Sequence, residues 1–243
     1  FIGDRVLREE NDRLFAELGI RQQPCDVTRE ADIESLIGAA AEAGRLAILV
    51  NNAGIGMVKQ ITDVTEAEWD ACLDTNLKGA FFGCKHAIRR MQRTGGGSIV
   101  NIASNAGLLP RGHDPVYSIS KMALVGLAKS LALCHARDRI RVNAVCPGPV
   151  GDTRMMNADL EAAPDPAALA KEMIRKSPLA GAFGRMITPE EVAEAVFYLV
   201  SDASAMVTGT SVAVAIVTSV SLRSRCACRA PRRSARTPWR RDR

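Results

Sequence analysis

Short apolar runs alternate along this chain with longer stretches in which apolar residues return every three or four positions, the pattern of a parallel sheet flanked by helices. The short runs predict strands at Leu46 to Val50, Ser98 to Ala103, Ile140 to Cys146 and Thr210 to Val214, and Phe1-Ile2-Gly3-Asp4-Arg5 reads as the end of another. The longer stretches carry start signals. Thr65 with Glu68 three residues on is a capping box that opens a helical period running towards Met91. Thr188-Pro189-Glu190-Glu191 joins a second capping box to a proline at the first helical position. A third period runs from about Val116 to Ala136 through Ile119, Leu124, Leu127, Leu131 and Leu133. The expected fold is α/β, a doubly wound and mostly parallel sheet, and ligands of such sheets bind at the carboxyl ends of the strands.

Composition narrows the class. A chain of 243 residues, 47% hydrophobic and 24% charged, can bury one large core, and no linker divides it. No apolar run is expected to approach the roughly 18 residues of a membrane span, and no signal peptide opens the sequence. Seven scattered cysteines suit reduced thiols and a cytoplasmic setting. The net charge of +5 is uneven: from Ala213 onward nine arginines face one aspartate, leaving residues 1–212 at about −3. Residues 1–214 are therefore expected to form the folded domain and residues 215–243 an Arg-rich, disordered tail. Such a tail could attract nucleic acid, but no folded nucleic-acid motif stands behind it, so neither a nucleic acid nor a membrane is expected as partner. His86, His113 and His135 lack metal-ligand spacing and Cys226-x-Cys228 is no zinc pair, so no metal is expected.

The candidate chemistry gathers after the strands. Tyr117 and Lys121 lie four apart on the third helix, one turn apart on one face. A free tyrosine titrates near pH ~10, and a neighbouring ammonium favours its phenolate, which would bring Tyr117 closer to working pH as a proton donor and acceptor. Ser104 follows a buried strand, where its hydroxyl could meet a substrate oxygen; its other reading is a turn cap. Asn51-Asn52-Ala53-Gly54 likewise follows a strand and suits a tight turn beside a ligand. Asn76, a poor helix former inside an apolar helix, needs a partner for its amide if buried.

Together Asn51-Asn52-Ala53-Gly54, Asn76 in Asp74-Thr75-Asn76-Leu77-Lys78-Gly79, Ser104, Tyr117-Ser118-Ile119-Ser120-Lys121 and Pro147-Gly148 resemble the short-chain dehydrogenase/reductase family, over roughly Phe1 to Val214. The resemblance implies a single Rossmann-type domain and NAD(P)-dependent interconversion of a secondary alcohol and a ketone. In it Tyr117 exchanges the hydroxyl proton, Ser104 polarises the substrate oxygen, Lys121 lowers the Tyr117 pKa and holds the nicotinamide ribose, and Asn76 positions a relay water. It also implies that Asp4 accepts from the adenosine ribose, favouring NAD over NADP, although Arg5 beside it could accept a phosphate. Asp26 and Val27 would lie on the adenine side, with Asn52, Ala53 and Gly54 lining the cofactor. Pro147 and Gly148 would shape the nicotinamide pocket, and Thr153 would bond its carboxamide. A small-molecule alcohol or ketone is the implied substrate, and a homodimer or homotetramer the implied assembly.

Two departures accompany the likeness. The family's first strand, first helix and glycine-rich pyrophosphate turn are expected to be missing ahead of Phe1. Ala215-Ile216-Val217 stands where Asp-Gly-Gly is expected. A second reading follows: an inactive fragment, or a protein that retains the fold for interaction alone. Substrate choice is expected to reside in Thr153 to Met186, where Met155, Met156, Leu160, Met173, Ile174, Leu179 and Phe183 suit either a lid or ordinary helix packing.

Overall fold

The computed structural model describes residues 1–7, 12–109 and 111–215. The Arg-rich segment with Cys226 and Cys228 lies outside the described residues. The parallel α/β class is as expected. Strands β3 (Ile48–Asn51), β4 (Gly97–Ile102), β5 (Ile140–Pro147) and β6 (Ser211–Val214) form a parallel sheet in the order β3-β4-β5-β6. Its register sets Ile48 opposite Ser98, Gly97 opposite Ile140 and Ala144 opposite Ser211. Each predicted boundary is met to within two residues.

Strand β1 (Ile2–Asp4) pairs in parallel with β2 (Gln22–Pro24) in a separate two-stranded sheet. Among the described residues the strands thus fall into two sheets. Ile48 is 46% and Val50 39% exposed as a result. β2 was not predicted, because Gln-Gln-Pro has no apolar period to read.

Period-two alternation in β4 and β5 feeds two cores, one on each face of the four-stranded sheet. Ile99, Val142, Ala144 and Cys146 point into the larger, against α2 (Glu30–Ala43), α4 (Gly79–Met91) and α5 (Pro115–His135). Val100 and Val145 point into the smaller, against Leu199 of α9 (Pro189–Val200). This is the double winding that the sequence pattern predicts. Short α1 (Asp12–Glu17) and α2 went unpredicted; α2 shows its inner face only through Ile33 and Ile37, four apart in an alanine-rich run.

Both capping boxes form. The Thr65 N–H donates to Glu68 at 2.8 Å and the Thr188 N–H to Glu191 at 2.9 Å, with each threonine hydroxyl accepting from the glutamate N–H at 3.3 Å. The period opened by Thr65 is one helical run in three parts: α3 (Glu66–Leu73), a π-helical turn (Asp74–Lys78) and α4. One expectation needs correction. Pro115–Asp138 is long and apolar enough to cross a bilayer, but half of its most apolar stretch is buried inside the protein. Lys121 and Lys129 lie within it.

Residues 153–187 form α6 (Arg154–Glu161), α7 (Pro166–Lys176) and α8 (Pro178–Phe183). Only Ser177, Ala180 and Ile187 are buried in that span. The thiols of the described residues are all free, and burial pushes those of Cys84 and Cys146 up to about 12 and about 11.

The open side of β3 is an unguarded strand edge, which favours edge-to-edge association. Ile48→Lys should raise the soluble fraction of the chain after mild heating, read by light scattering. No change, or more aggregation, would show that Ile48 is covered in solution.

Candidate active site

The catalytic candidates converge where β4 ends and α5 begins. Pro115 at the first helical position and Asp114 before it start α5, placing Tyr117 and Lys121 in its first two turns. Both side chains are buried, Lys121 at 3% exposure. The Lys121 ammonium donates to the carbonyl of Ile102, the last residue of β4, at 3.1 Å and sits 5.7 Å from the Tyr117 ring centroid. Ser104, two residues beyond β4, caps the 3₁₀ turn Asn105–Gly107 by accepting from the Ala106 N–H at 3.2 Å. Its turn-cap reading and its place beside the Tyr117 phenol hold together.

Asn76 lies in the π turn, a feature frequent at functional sites. Its buried amide is held at both its oxygen and its nitrogen. Oδ1 accepts from the Ile55 N–H at 2.8 Å, and Nδ2 donates to the Ile55 carbonyl and to Ser120 Oγ, each at 3.0 Å. Ser120 Oγ in turn donates to the Tyr117 carbonyl at 2.7 Å. One amide therefore ties the loop after β3 to the first turn of α5. Gly54 in that loop is pressed against the same groups: a Cβ there would stand 3.2 Å from both Asn76 Oδ1 and Lys121 Nζ.

Burial governs the electrostatics. It draws Lys121 down to about 8 from the usual lysine value. It pushes the Tyr117 phenol above its ordinary value, with the Ser104 hydroxyl and the Arg111 guanidinium pulling the other way. The expected lowering of Tyr117 by Lys121 is thus replaced by a raised phenol whose opposing neighbours are Ser104 and Arg111. The ammonium is oriented to the Ile102 carbonyl.

The expected cofactor contacts divide. Asp4 is exposed at the carboxyl end of β1, accepting from the Val6 N–H at 3.2 Å. Asn52, Ala53 and Gly54 follow β3 with accessible surface. Pro147 ends β5, and the Gly148 N–H donates to the Val214 carbonyl at 3.0 Å. Others are already engaged. Asp26 Oδ1 accepts from the Thr28 N–H at 2.9 Å and hydroxyl at 2.8 Å, and these bonds hold its carboxyl below the usual range. Val27 packs against Gly79, where a Cβ would meet the Val27 carbonyl at 2.9 Å. Thr153 caps α6 by accepting from the Met156 N–H at 3.2 Å. Asn51 is turned inward, donating to Asn101 Oδ1 at 2.8 Å, and of the pair Asn52 is the exposed one. A cleft of about 250 Å³ lined by Val50, Asn52, Ile102, Pro189, Val192, Ala193 and Val196 adjoins Asn52 but none of Asn76, Ser104, Tyr117 or Lys121 lines it.

Sequence reading passed over Ser120, Arg111 and Asp114. Ser120 was visible only as a small residue within Tyr117–Lys121. Arg111 and Asp114 sit in a turn without periodicity, and their link to Tyr117 is purely spatial.

A family model described as enoyl-(acyl carrier protein) reductase matches residues 2–215. The chain is 40% identical over 185 residues to an uncharacterized oxidoreductase of Thermotoga maritima, covering 76% of this chain and 71% of that protein. It is 38% identical over 213 residues to cis-4-hydroxycyclohexanecarboxylate dehydrogenase of Sinomonas cyclohexanicum, covering 87% and 80%. Among solved structures, the ligand-free aldohexose dehydrogenase of Thermoplasma acidophilum superposes with a TM-score of 0.73 at 34% identity, covering 80% of this chain and 76% of that one. ElxO with NADP bound superposes with a TM-score of 0.76 at 27% identity, covering 87% and 85%. The chain belongs to the short-chain dehydrogenase/reductase family of oxidoreductases.

The buried ammonium gives a pH signature. Below pH about 8 both folded and unfolded chains carry the Lys121 proton, and the full penalty of burying it is present. From there to the unfolded value near ~10.4 the unfolded chain binds more protons, so stability rises with pH; above it the penalty is gone. Lys121→Met should therefore be more stable than the parent at pH 7, by up to about 3 kcal/mol. The advantage should fade as pH climbs through the window from 8 to 10. Denaturant titrations at pH 7 and 10 would show it, and an advantage that does not shrink with pH excludes Lys121 as the source.

Proposed function

We propose that this protein interconverts a secondary alcohol and a ketone with a nicotinamide cofactor, NAD in preference to NADP, using Tyr117 as the acid and base. The observation that carries the reading is the convergence of Tyr117, Ser104 and Lys121 at the end of β4, locked to the loop after β3 through Asn76. The residues at hand fit the nicotinamide and ribose ends of such a cofactor. Asn52, Ala53 and Gly54 offer accessible surface in the loop that brings Gly54 against Lys121, and Asp4 offers an exposed carboxylate at a strand end. Thr153, Asp26 and Val27 would contribute by shape or backbone, since their side chains are engaged already. Bound NAD(P) supplies or accepts the hydride.

The chain's own groups handle the oxygen and its proton. Ser104 Oγ, held by the Ala106 N–H, meets the substrate oxygen and polarises it. The Tyr117 phenol gives up its proton as the ketone oxygen gains charge, and takes one back from the alcohol in the reverse direction. A phenol raised by burial is protonated at neutral pH, which suits reduction. Lys121 stabilises the charge left on Tyr117 and would hold the cofactor ribose. Asn76 fixes the geometry of the proton path through the Ile55 backbone, and a water it positions would complete the relay. Trp69, Phe81, Ile119, Met122 and Leu133 expose apolar surface on α3, α4 and α5, which supports a homodimer or homotetramer packed through these helices.

Tyr117→Phe keeps the ring and removes the proton donor, so turnover should fall roughly 10²- to 10⁴-fold while NADH affinity stays nearly unchanged. Hydride transfer at parental speed in stopped flow would end the assignment. Asp4→Ala should erode the preference for NAD, because a carboxylate accepts from ribose hydroxyls and repels a 2′-phosphate. Comparing kcat/KM for NAD and NADP decides it; a parental preference for NADP would mean that Arg5 outweighs Asp4.

A further inference from the structure

We propose that Arg111 is an anion-recognition residue of this active site, and that the substrate carries a carboxylate or another small oxyanion a few bonds from its reacting carbon. This rests on the alcohol and ketone reading above and adds the class of substrate. The guanidinium carbon of Arg111 lies 5.1 Å from the Tyr117 ring centroid, over the group assigned to proton transfer. It is held there by a closed clasp. The Arg111 N–H donates to Ser118 Oγ at 3.2 Å, Ser118 Oγ donates to Asp114 Oδ1 at 2.9 Å, and Asp114 Oδ2 is ion-paired with Arg111 Nη2.

Both clasp residues are buried, Asp114 at 1% exposure and Ser118 at 2%, and a buried carboxylate is costly unless it is paired and hydrogen-bonded. Fixing the Arg111 head is what this carboxylate does. The clasp takes Nη2 only. Nε is buried, but among the described residues Nη1 makes no hydrogen bond, and the Arg111 side chain keeps 35% of its surface. A guanidinium donates from two edges, so one edge remains for a ligand.

The opposite wall supports the same assignment. On α6, Asp159 feels the Arg111 charge, but burial is the larger influence and raises its carboxyl above the ordinary range, making it a weaker rival for the guanidinium than a solvated carboxylate. The same helix brings Met155 and Asp159 over Gly56 in the loop after β3, with Met155 Cγ 3.6 Å and Asp159 Oδ1 4.0 Å from where a Cβ on Gly56 would stand. The site thus has a proton-transfer end at Tyr117 and Ser104, an apolar contact at Met155 and a fixed cation at Arg111. A hydroxy acid or keto acid uses all three, placing its carboxylate on the part of the guanidinium that Asp114 leaves open, whereas a neutral alcohol has nothing to place there.

The test compares cis-4-hydroxycyclohexanecarboxylate with its carboxamide, which match in shape and differ in charge. Wild-type kcat/KM should favour the carboxylate by roughly 10- to 100-fold, the range of charge-assisted hydrogen bonding. Arg111→Gln should collapse that ratio to within about 3-fold of unity through KM, and Arg111→Lys should restore part of it. A wild-type ratio near unity overturns the proposal. So does a ratio that survives Arg111→Gln while the pH profile moves, since Arg111 would then only tune Tyr117. Cyclohexanecarboxylate and cyclohexanecarboxamide, compared by thermal shift on the same full chain, separate this inference from the reading it rests on. Arg111-dependent stabilisation by the carboxylate without turnover supports the anion site and rejects the alcohol and ketone reading. Turnover without such stabilisation, or neither, rejects the anion site.

Discussion

A single buried ammonium organises this site. Lys121 enters the protein with its charge directed at the Ile102 carbonyl, and a lysine can be held there only where its desolvation is offset by a fixed partner. Ile102 is the last residue of β4, so the bond sets the start of α5 against the carboxyl end of the sheet. Tyr117, one turn earlier on α5, is positioned by the same contact, and Ser104 follows two residues after the strand. The spacing of Ser104, Tyr117 and Lys121 in sequence thus reflects one geometric requirement. The same burial that costs stability makes Lys121 a group that responds to a negative charge appearing on its neighbours.

Asn76 shows how the backbone pattern and the polar network depend on each other. The Asp74–Lys78 turn is wider than an α-turn, and the amide within it reaches both the Ile55 backbone and Ser120. Every donor and acceptor in that chain is answered, which is the condition for a buried polar network to rigidify a site. A wandering loop after β3 would move Asn52, Ala53 and Gly54 relative to Tyr117. The amide prevents that without lying on the reacting atoms.

Much of the fold was legible because its signals are local. Short apolar runs gave β3 to β6, and the Thr65 and Thr188 boxes gave helix starts that the hydrogen bonds reproduce. The catalytic candidates were legible because family motifs preserve their order. What stayed hidden was spatial or lacked periodicity. Gln22–Pro24 forms a strand by pairing with β1, a cue absent from its own residues. Asp26 and Thr153 look free in sequence and are engaged in local turns and caps, the usual competition for Asp and Thr side chains. The raised phenol of Tyr117 depends on how deeply α5 sits, and the clasp that holds Arg111 joins residues in an irregular turn to the helix it precedes.

The division of the strands into two sheets also divides the proposed chemistry. Asn76, Ser104, Tyr117 and Lys121 belong to the four-stranded sheet and the helices on it, whereas Asp4, Asp26 and Val27 belong to β1, β2 and the turn that follows. Among the described residues no strand hydrogen bond joins the two sheets. Their connection runs through α2 against α4, where Glu30 Oε1 accepts from Lys85 at 2.6 Å and lies 3.0 Å from the ring nitrogen of the buried His86, and through Val27 seated on Gly79. Glu30 is itself accessible, so its charge pairs are screened, and the apolar contacts of Ile33 and Ile37 with the main core carry more of the attachment. Proton-transfer geometry and choice of cofactor are therefore held by different contacts. A substitution in the α2–α4 seam should disturb what β1 and β2 present to a nucleotide before it disturbs Tyr117, because Tyr117 takes its position from the Lys121 bond to β4 and the Asn76 bond to Ser120, whereas β1 and β2 are tied to the main sheet across that seam.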